Sequence, residues 1–149
     1  MAGLAACGFQ LQGAFTVPSG MERTYIAAAD QYSLFSRELQ AGLRLAGVEI
    51  VESASDATAT FTIDFDQTSQ RVLSVSARNV PTEYEVYYTI SYSLDSGADI
   101  LMLQQTLTLT RDYTYDSTLV LGKAREEELL REAIVDDLVR IVMKQISTL

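Results

Sequence analysis

The chain has 149 residues, eleven basic and twenty acidic, and so a net charge of −9; it holds one cysteine and neither histidine nor tryptophan. That length favours one domain with its own core, and the acidic balance excludes a general nucleic-acid binder, which needs a basic face to displace counterions. Without histidine there is no Ser-His-Asp or Cys-His nucleophile and no histidine-ligated zinc or haem, and a single cysteine excludes an internal disulfide and any multi-cysteine metal site.

The charge is uneven. Met1 to Gly122 carries six basic and fourteen acidic residues, whereas Lys123 to Leu149 is close to balance. No run of about 18 apolar residues occurs, so no segment reads as a membrane-spanning helix. Leu4-Ala5-Ala6-Cys7 has the form of a bacterial lipobox. The thiol accepts a diacylglycerol, and the small residues before it fit a narrow peptidase site. On that reading Met1–Ala6 is a signal-peptide remnant, residues 7–149 form a single periplasmic lipoprotein domain, and Cys7 is its lipidated start. The other reading of Cys7 is a small buried apolar side chain.

Phe9 to Phe15 alternates apolar and polar residues around Gly13 and predicts a short extended segment, and Pro18-Ser19-Gly20 predicts a turn. A strand is expected over Met21–Ala29. Ser33 to Ala46 predicts a helix, with Ser33 as N-cap, Phe35, Leu39, Leu43 and Ala46 on one stripe, and Gly47 as its stop. Ala57 to Gln67 alternates cleanly: Ala57, Ala59, Phe61, Ile63 and Phe65 share one face, and Thr58, Thr60, Thr62, Asp64 and Asp66 the other. The pattern resumes through Leu73, Val75 and Ala77 to a turn at Arg78-Asn79-Val80-Pro81.

Tyr84, Val86, Tyr88, Ile90, Tyr92 and Leu94 then form one face of a strand, and a loop at Asp95–Asp99 predicts a hairpin. On the return strand Leu101, Leu103, Leu107, Leu109, Tyr113 and Tyr115 are expected inward, and Met102, Gln104, Thr106, Thr108 and Thr110 outward. The tyrosine row reads as core packing with hydroxyls at the rim, rather than a ligand platform. Lys123 to Ile146 predicts a long helix with Leu130, Ala133, Ile134, Leu138, Ile141 and Val142 on its apolar stripe. Glu126-Glu127-Glu128 reads as a complement to the helix dipole rather than a metal site.

These elements predict an α+β two-layer sandwich, with two helices packed on one face of a mixed four-stranded sheet. The first strand–helix–strand unit is expected to be parallel and the later hairpin antiparallel. No glycine-rich phosphate loop and no nucleophile–base pair is legible, and neither catalytic nor metal-binding residues nor a cofactor is assigned. The sequence reads as that of a non-enzyme.

Cys7-Gly8-Phe9-Gln10-Leu11-Gln12-Gly13 resembles the anchor and first segment of the lipopolysaccharide-assembly lipoprotein family, LptE. Ser36-Arg37 followed by Leu43–Ile50 is similar to that family's first helix and exit. Thr82–Val86 is similar to its central strand, and Arg111–Lys123 to its last strand and the entry to its last helix. The resemblance implies two helices on a mixed four-stranded sheet and a lipid-anchored protein on the periplasmic face of a Gram-negative outer membrane. It also implies a partner, the β-barrel translocon LptD, which the lipoprotein plugs while helping to deliver lipopolysaccharide. By position, the family's lipopolysaccharide-binding basic residues fall on Arg78 and Lys123. The net charge of −9 opposes binding of an anionic glycolipid unless these two form a local patch or divalent cations bridge. Two other classes stay open: a periplasmic lipid-carrier lipoprotein of another envelope transport system, and an envelope enzyme activator. A large apolar cavity would mark the carrier; a filled core behind a hydrogen-bonding wall would mark the plug.

Overall fold

The computed structural model describes residues 15–97, 99–115 and 120–149. Met1–Ala6, Cys7 and the segment Phe9–Ala14 lie outside the described residues. After the turn at Pro18–Gly20, the chain forms β1 (Arg23–Ala28), α1 (Leu34–Leu45), β2 (Glu49–Val51), a 3-10 turn (Ala54–Asp56), β3 (Ala59–Val75), β4 (Pro81–Ser96), β5 (Asp99–Thr114) and α2 (Val120–Ile146).

The sheet has five strands in the order β2-β1-β3-β4-β5, not the four expected. The extra strand is β2, which pairs in parallel with Arg23–Tyr25. Three residues carry too little of a two-residue period to be read as a strand; β2 exists because the edge of β1 supplies its hydrogen bonds. The sheet is mixed as expected: β1 is parallel to β2 and β3, and β3, β4 and β5 are antiparallel.

Helix α1 begins where Ser33 Oγ accepts the Ser36 N–H at 3.1 Å. It ends in a reciprocal cap, with the Gly47 N–H donating to Arg44 O and the Val48 N–H to Leu43 O, both at 3.0 Å. Gly47 sits at φ 88°, a conformation that glycine adopts without a Cβ penalty. Helix α2 starts at Val120, three residues earlier than expected. Glu126, Glu127 and Glu128 therefore lie beyond its first turn. They pair with Lys123, Arg131 and Arg125 respectively, in i,i+3 and i,i+4 ion pairs. That pairing replaces the dipole account, because the dipole's influence fades within one turn.

One core lies between sheet and helices. It joins Phe35, Leu39 and Leu43 of α1, Ile134, Leu138 and Val142 of α2, and Phe61, Ile63, Tyr88, Ile90 and Tyr92 of the sheet. Phe61 and Tyr92 stack, with ring centroids 5.4 Å apart. Gly42 faces α2 where the helices meet. A Cβ there would stand 3.5 Å from Val139 Cγ1, an ordinary contact. Gly42→Ala is therefore expected to raise stability by about 0.5–1 kcal/mol through helix propensity, measured by denaturant titration.

Two register shifts overturn parts of the expected facing. Ile63 pairs with Tyr92, but Phe65 pairs with Ser91, so Asp64 is a bulge. Phe65 is thereby turned out of the core, and Asp66 is turned towards α1. In β5, Tyr92 pairs with Gln105 and Leu94 with Met102, which places another extra residue between them. Met102 is buried and Leu103 is 72% exposed, the reverse of the alternation read from sequence. Leu107 and Leu109 are only partly buried.

Candidate functional site

The strands of the β3–β4–β5 ladder run 16 or 17 residues each, about 50 Å at 3.3 Å per residue. β3 is buried at Ala59, Phe61 and Ile63 and largely exposed from Asp64 onward. The sheet thus continues past its core as a long ribbon, with one outer face and one distal end that the core does not consume.

The outer face is a wall of hydroxyls. Thr89 and Thr108 Oγ1 atoms lie 2.8 Å apart, and Thr106 donates to Ser91 Oγ at 3.3 Å. Gln104 Nε2 donates to Ser91 Oγ at 3.2 Å and Asp64 Oδ2 at 3.3 Å. Thr106, Thr108 and Thr110 are exposed, and Thr60 and Thr62 half-buried. Thr58 is not part of this wall: its hydroxyl donates to Arg23 O at 3.0 Å and accepts the Arg23 N–H at 3.1 Å, tying β3 to β1. On the same wall Arg71 pairs with Glu85 at 2.5 Å and lies 5.8 Å from the Tyr87 ring centre.

The distal end carries both basic residues singled out from the sequence. Arg78 sits in the β3–β4 turn, exposed, with no ion pair among the described residues. The turn is held by Ser76, whose Oγ accepts the Arg78 and Val80 N–H groups at 3.3 Å each, and by Asn79 at φ 60°. Lys123 lies in the first turn of α2, beside the end of β5. Its Nζ donates to Thr114 O and pairs with Glu126 at 2.8 Å, and its side chain is only 16% exposed. It also stands 5.8 Å from the centre of the Tyr113 ring. The fold brings Arg78 and Lys123 to one end of the sheet, one free and one already engaged.

Beneath Lys123 is a cluster that sequence reasoning assigned only to generic packing. Tyr84 stacks on Tyr113 at 5.6 Å and meets Tyr115 edge-on at 5.4 Å, and the Tyr113 hydroxyl donates to Gln70 Oε1 at 3.0 Å. A second missed network forms at Asp66, read from sequence as a surface carboxylate. Its oxygens accept from the Tyr88 hydroxyl at 2.6 Å and from Ser33 Oγ, joining β3, β4 and the α1 cap. Only the bulge at Asp64 makes that network possible, and a bulge leaves no local sequence signal.

Burial, with the Asp66 hydrogen bond and charge behind it, pushes the Tyr88 phenol well above its usual range. Burial likewise pushes Tyr92 up to about 12, against a partial offset from its bond to Gln145. Both phenols hold their protons more tightly folded than unfolded, where the pKa is about 10. Their contribution to stability is therefore complete below about pH 10 and lost as pH rises through the folded values. Unfolding free energy is expected to fall above about pH 9.5 as these phenols ionise, and Tyr92→Phe should make that fall shallower.

Among the described residues no cluster of acidic or cysteine side chains is placed to hold a metal. A concavity of about 450 Å³ is an open groove between α1 and α2 lined by Phe15, Leu45, Val139 and Met143, not a chamber within the core.

Two helices over a mixed sheet whose strands outrun the core, with a hydroxyl wall on the outer face, define a small α+β two-layer domain. Residues 21–146 match the family described as "LptE: Lipopolysaccharide-assembly", and the chain belongs to that family. It is 28% identical over 146 residues to the LPS-assembly lipoprotein LptE of Yersinia pestis (strain Pestoides F), covering 97% of this chain and 70% of that protein. The same figures hold for the LPS-assembly lipoprotein LptE of Yersinia pseudotuberculosis serotype O:1b. The fold is similar to the solution structure of an uncharacterized lipoprotein B from Nitrosomonas europaea, with TM-score 0.77 and 27% identity, covering 94% of this chain and 90% of that one. It also resembles the crystal structure of the rare lipoprotein B from Shewanella oneidensis, with TM-score 0.73 at 23% identity, covering 85% and 94% of the two chains. That last likeness concerns the fold alone.

Proposed function

We propose that the protein is a non-catalytic outer-membrane lipoprotein that fills the lumen of the LptD β-barrel, supports the assembly of that barrel, and helps deliver lipopolysaccharide to the outer leaflet. The carrying observation is the hydroxyl run of Thr89, Ser91, Thr106 and Thr108 on the outer face, over the buried core. A wide barrel needs a folded filler to limit leakage, and hydroxyls satisfy a polar lumen without burying unpaired charge. The filled core and the open groove speak against the lipid-carrier alternative. In this reading Cys7 carries the acyl chains that hold the domain on the periplasmic face. A single chain gives only marginal attachment, whereas several give a stable one.

In the same reading Arg78 and Lys123 contact the anionic groups of lipopolysaccharide. Arg78 does so directly, and Lys123 by exchanging Glu126 for the ligand. Depleting the protein is expected to lower the amount of correctly assembled barrel and to raise outer-membrane permeability. If depletion leaves both barrel assembly and surface lipopolysaccharide unchanged, the plug reading fails. Replacing Arg78 and Lys123 together with alanine should weaken lipopolysaccharide binding while barrel assembly persists, and mass spectrometry of membrane-extracted protein should find acyl chains on Cys7.

A further inference from the structure

The two edges of the sheet are unlike. One is β2, three residues long. The other is β5, sixteen residues long, with no strand on its outer edge among the described residues. A row of free N–H and C=O groups invites another strand, and natural edges are blunted by shortness, proline, lysine or a bulge. β5 contains neither proline nor lysine. Its register shifts lie before Gln105, and from Gln105 to Thr114 it pairs with β4 residue for residue. On that regular stretch Gln105, Leu107 and Leu109 are half-buried, and Thr106, Thr108 and Thr110 are exposed.

The centre of this stretch is a palindrome, Thr106-Leu107-Thr108-Leu109-Thr110. Two antiparallel strands related by a two-fold axis oppose each residue to the one equally far beyond the axis. With the axis at Thr108, Leu107 faces Leu109 of the second copy, Thr106 faces Thr110, and Gln105 faces Arg111. Directly opposed residues share a sheet face, so leucine covers leucine on the helix side and threonine meets threonine on the outer side. The Thr89–Thr108 hydroxyl contact is the same kind of pair, already formed between β4 and β5. An axis at Leu107 or Leu109 would set the other leucine against Gln105 or Arg111. The Thr108 register also keeps like charges apart. The two Arg111 side chains stand six residues from one another along the pair, about 20 Å, and each is held by Asp137 of its own chain.

We propose that two copies of this chain pair edge to edge through β5, antiparallel about a two-fold axis at Thr108, joining their sheets into one. The contact is isologous, lies in the plane of the sheet and leaves the core untouched. It does not rest on the barrel reading. Each copy carries −9, so association is expected to strengthen with salt as screening removes the repulsion.

The test uses the full chain carrying Cys7→Ser, so that any added cysteine is the only thiol. Sedimentation velocity is expected to show a monomer–dimer equilibrium that shifts with concentration and salt. Thr106→Lys with Thr110→Lys places lysine opposite lysine twice and should weaken dimerisation about tenfold. Thr106→Lys with Thr110→Glu opposes unlike charges at the parent's net charge and should restore it. Both sites are exposed, so circular dichroism of the dilute variants should match the parent. Thr108→Cys should cross-link to itself with bismaleimidoethane. Thr106→Cys and Thr110→Cys, each about 13 Å from its own copy, should cross-link only when the two are mixed. Undiminished dimerisation of the two-lysine variant, or Thr106→Cys alone cross-linking as readily as Thr108→Cys, would overturn the proposal. So would a monomer at every concentration, which would leave the edge to a strand of another protein.

Discussion

Replacing Ile134 with alanine is expected to lower the unfolding free energy by about 2–5 kcal/mol. Ile134 is fully buried on α2, in the same core as Leu39 and Leu43 of α1 and Ile90 of β4. Truncation removes three carbons from a site lined by three elements. A gap shared by two helices and a sheet closes only if one whole layer shifts, so most of the cavity should persist. Urea titration should show a lower midpoint at unchanged slope. A change near zero would mean that α2 does not present this face to the sheet.

A second expected result contrasts two phenylalanines on one strand. Phe61→Ala should cost about 3–5 kcal/mol, since the ring is fully buried and stacked on Tyr92. Phe65→Ala should cost well under about 1 kcal/mol, since the bulge at Asp64 turns that ring outward, where it is 42% exposed. A strict two-residue alternation through Ala57, Ala59, Phe61, Ile63 and Phe65 would bury both rings and give similar losses. The difference between the two variants therefore reads the bulge directly, in solution and with the same chemical change. Met102 and Leu103 offer the same contrast on β5, with the buried methionine the costlier one to truncate.

These contrasts separate the levels at which this protein's structure was decided. Local physics, legible along the chain, specified helix α1: a 3.6-residue stripe through Phe35, Leu39 and Leu43, a serine able to cap one end, and a glycine able to take φ 88° at the other. It also specified the β4–β5 hairpin and the inward face of β4, where Val86, Tyr88, Ile90, Tyr92 and Leu94 are all buried. The run from Cys7 to Gly13, with the motifs at Leu43–Ile50 and Arg111–Lys123, was enough to suggest the family that residues 21–146 then matched.

What lay beyond local physics was pairing. Whether Asp64 is bulged depends on which β4 residue faces it, a contact between positions far apart in sequence, and that choice sent Phe65 out and brought Asp66 to Tyr88 and Ser33. The strand β2 is three residues long and exists only because β1 has a free edge beside it. The state of Lys123 was equally hidden. Sequence marks it as a cation at a helix start, but only the approach of β5 gives it Thr114 O and the Tyr113 ring, while the early start of α2 aligns Glu126 with it. Periodicity reports what one segment prefers; register, edge pairing and the occupancy of a charge are settled by a second segment, because the hydrogen bonds and the burial that decide them belong to both.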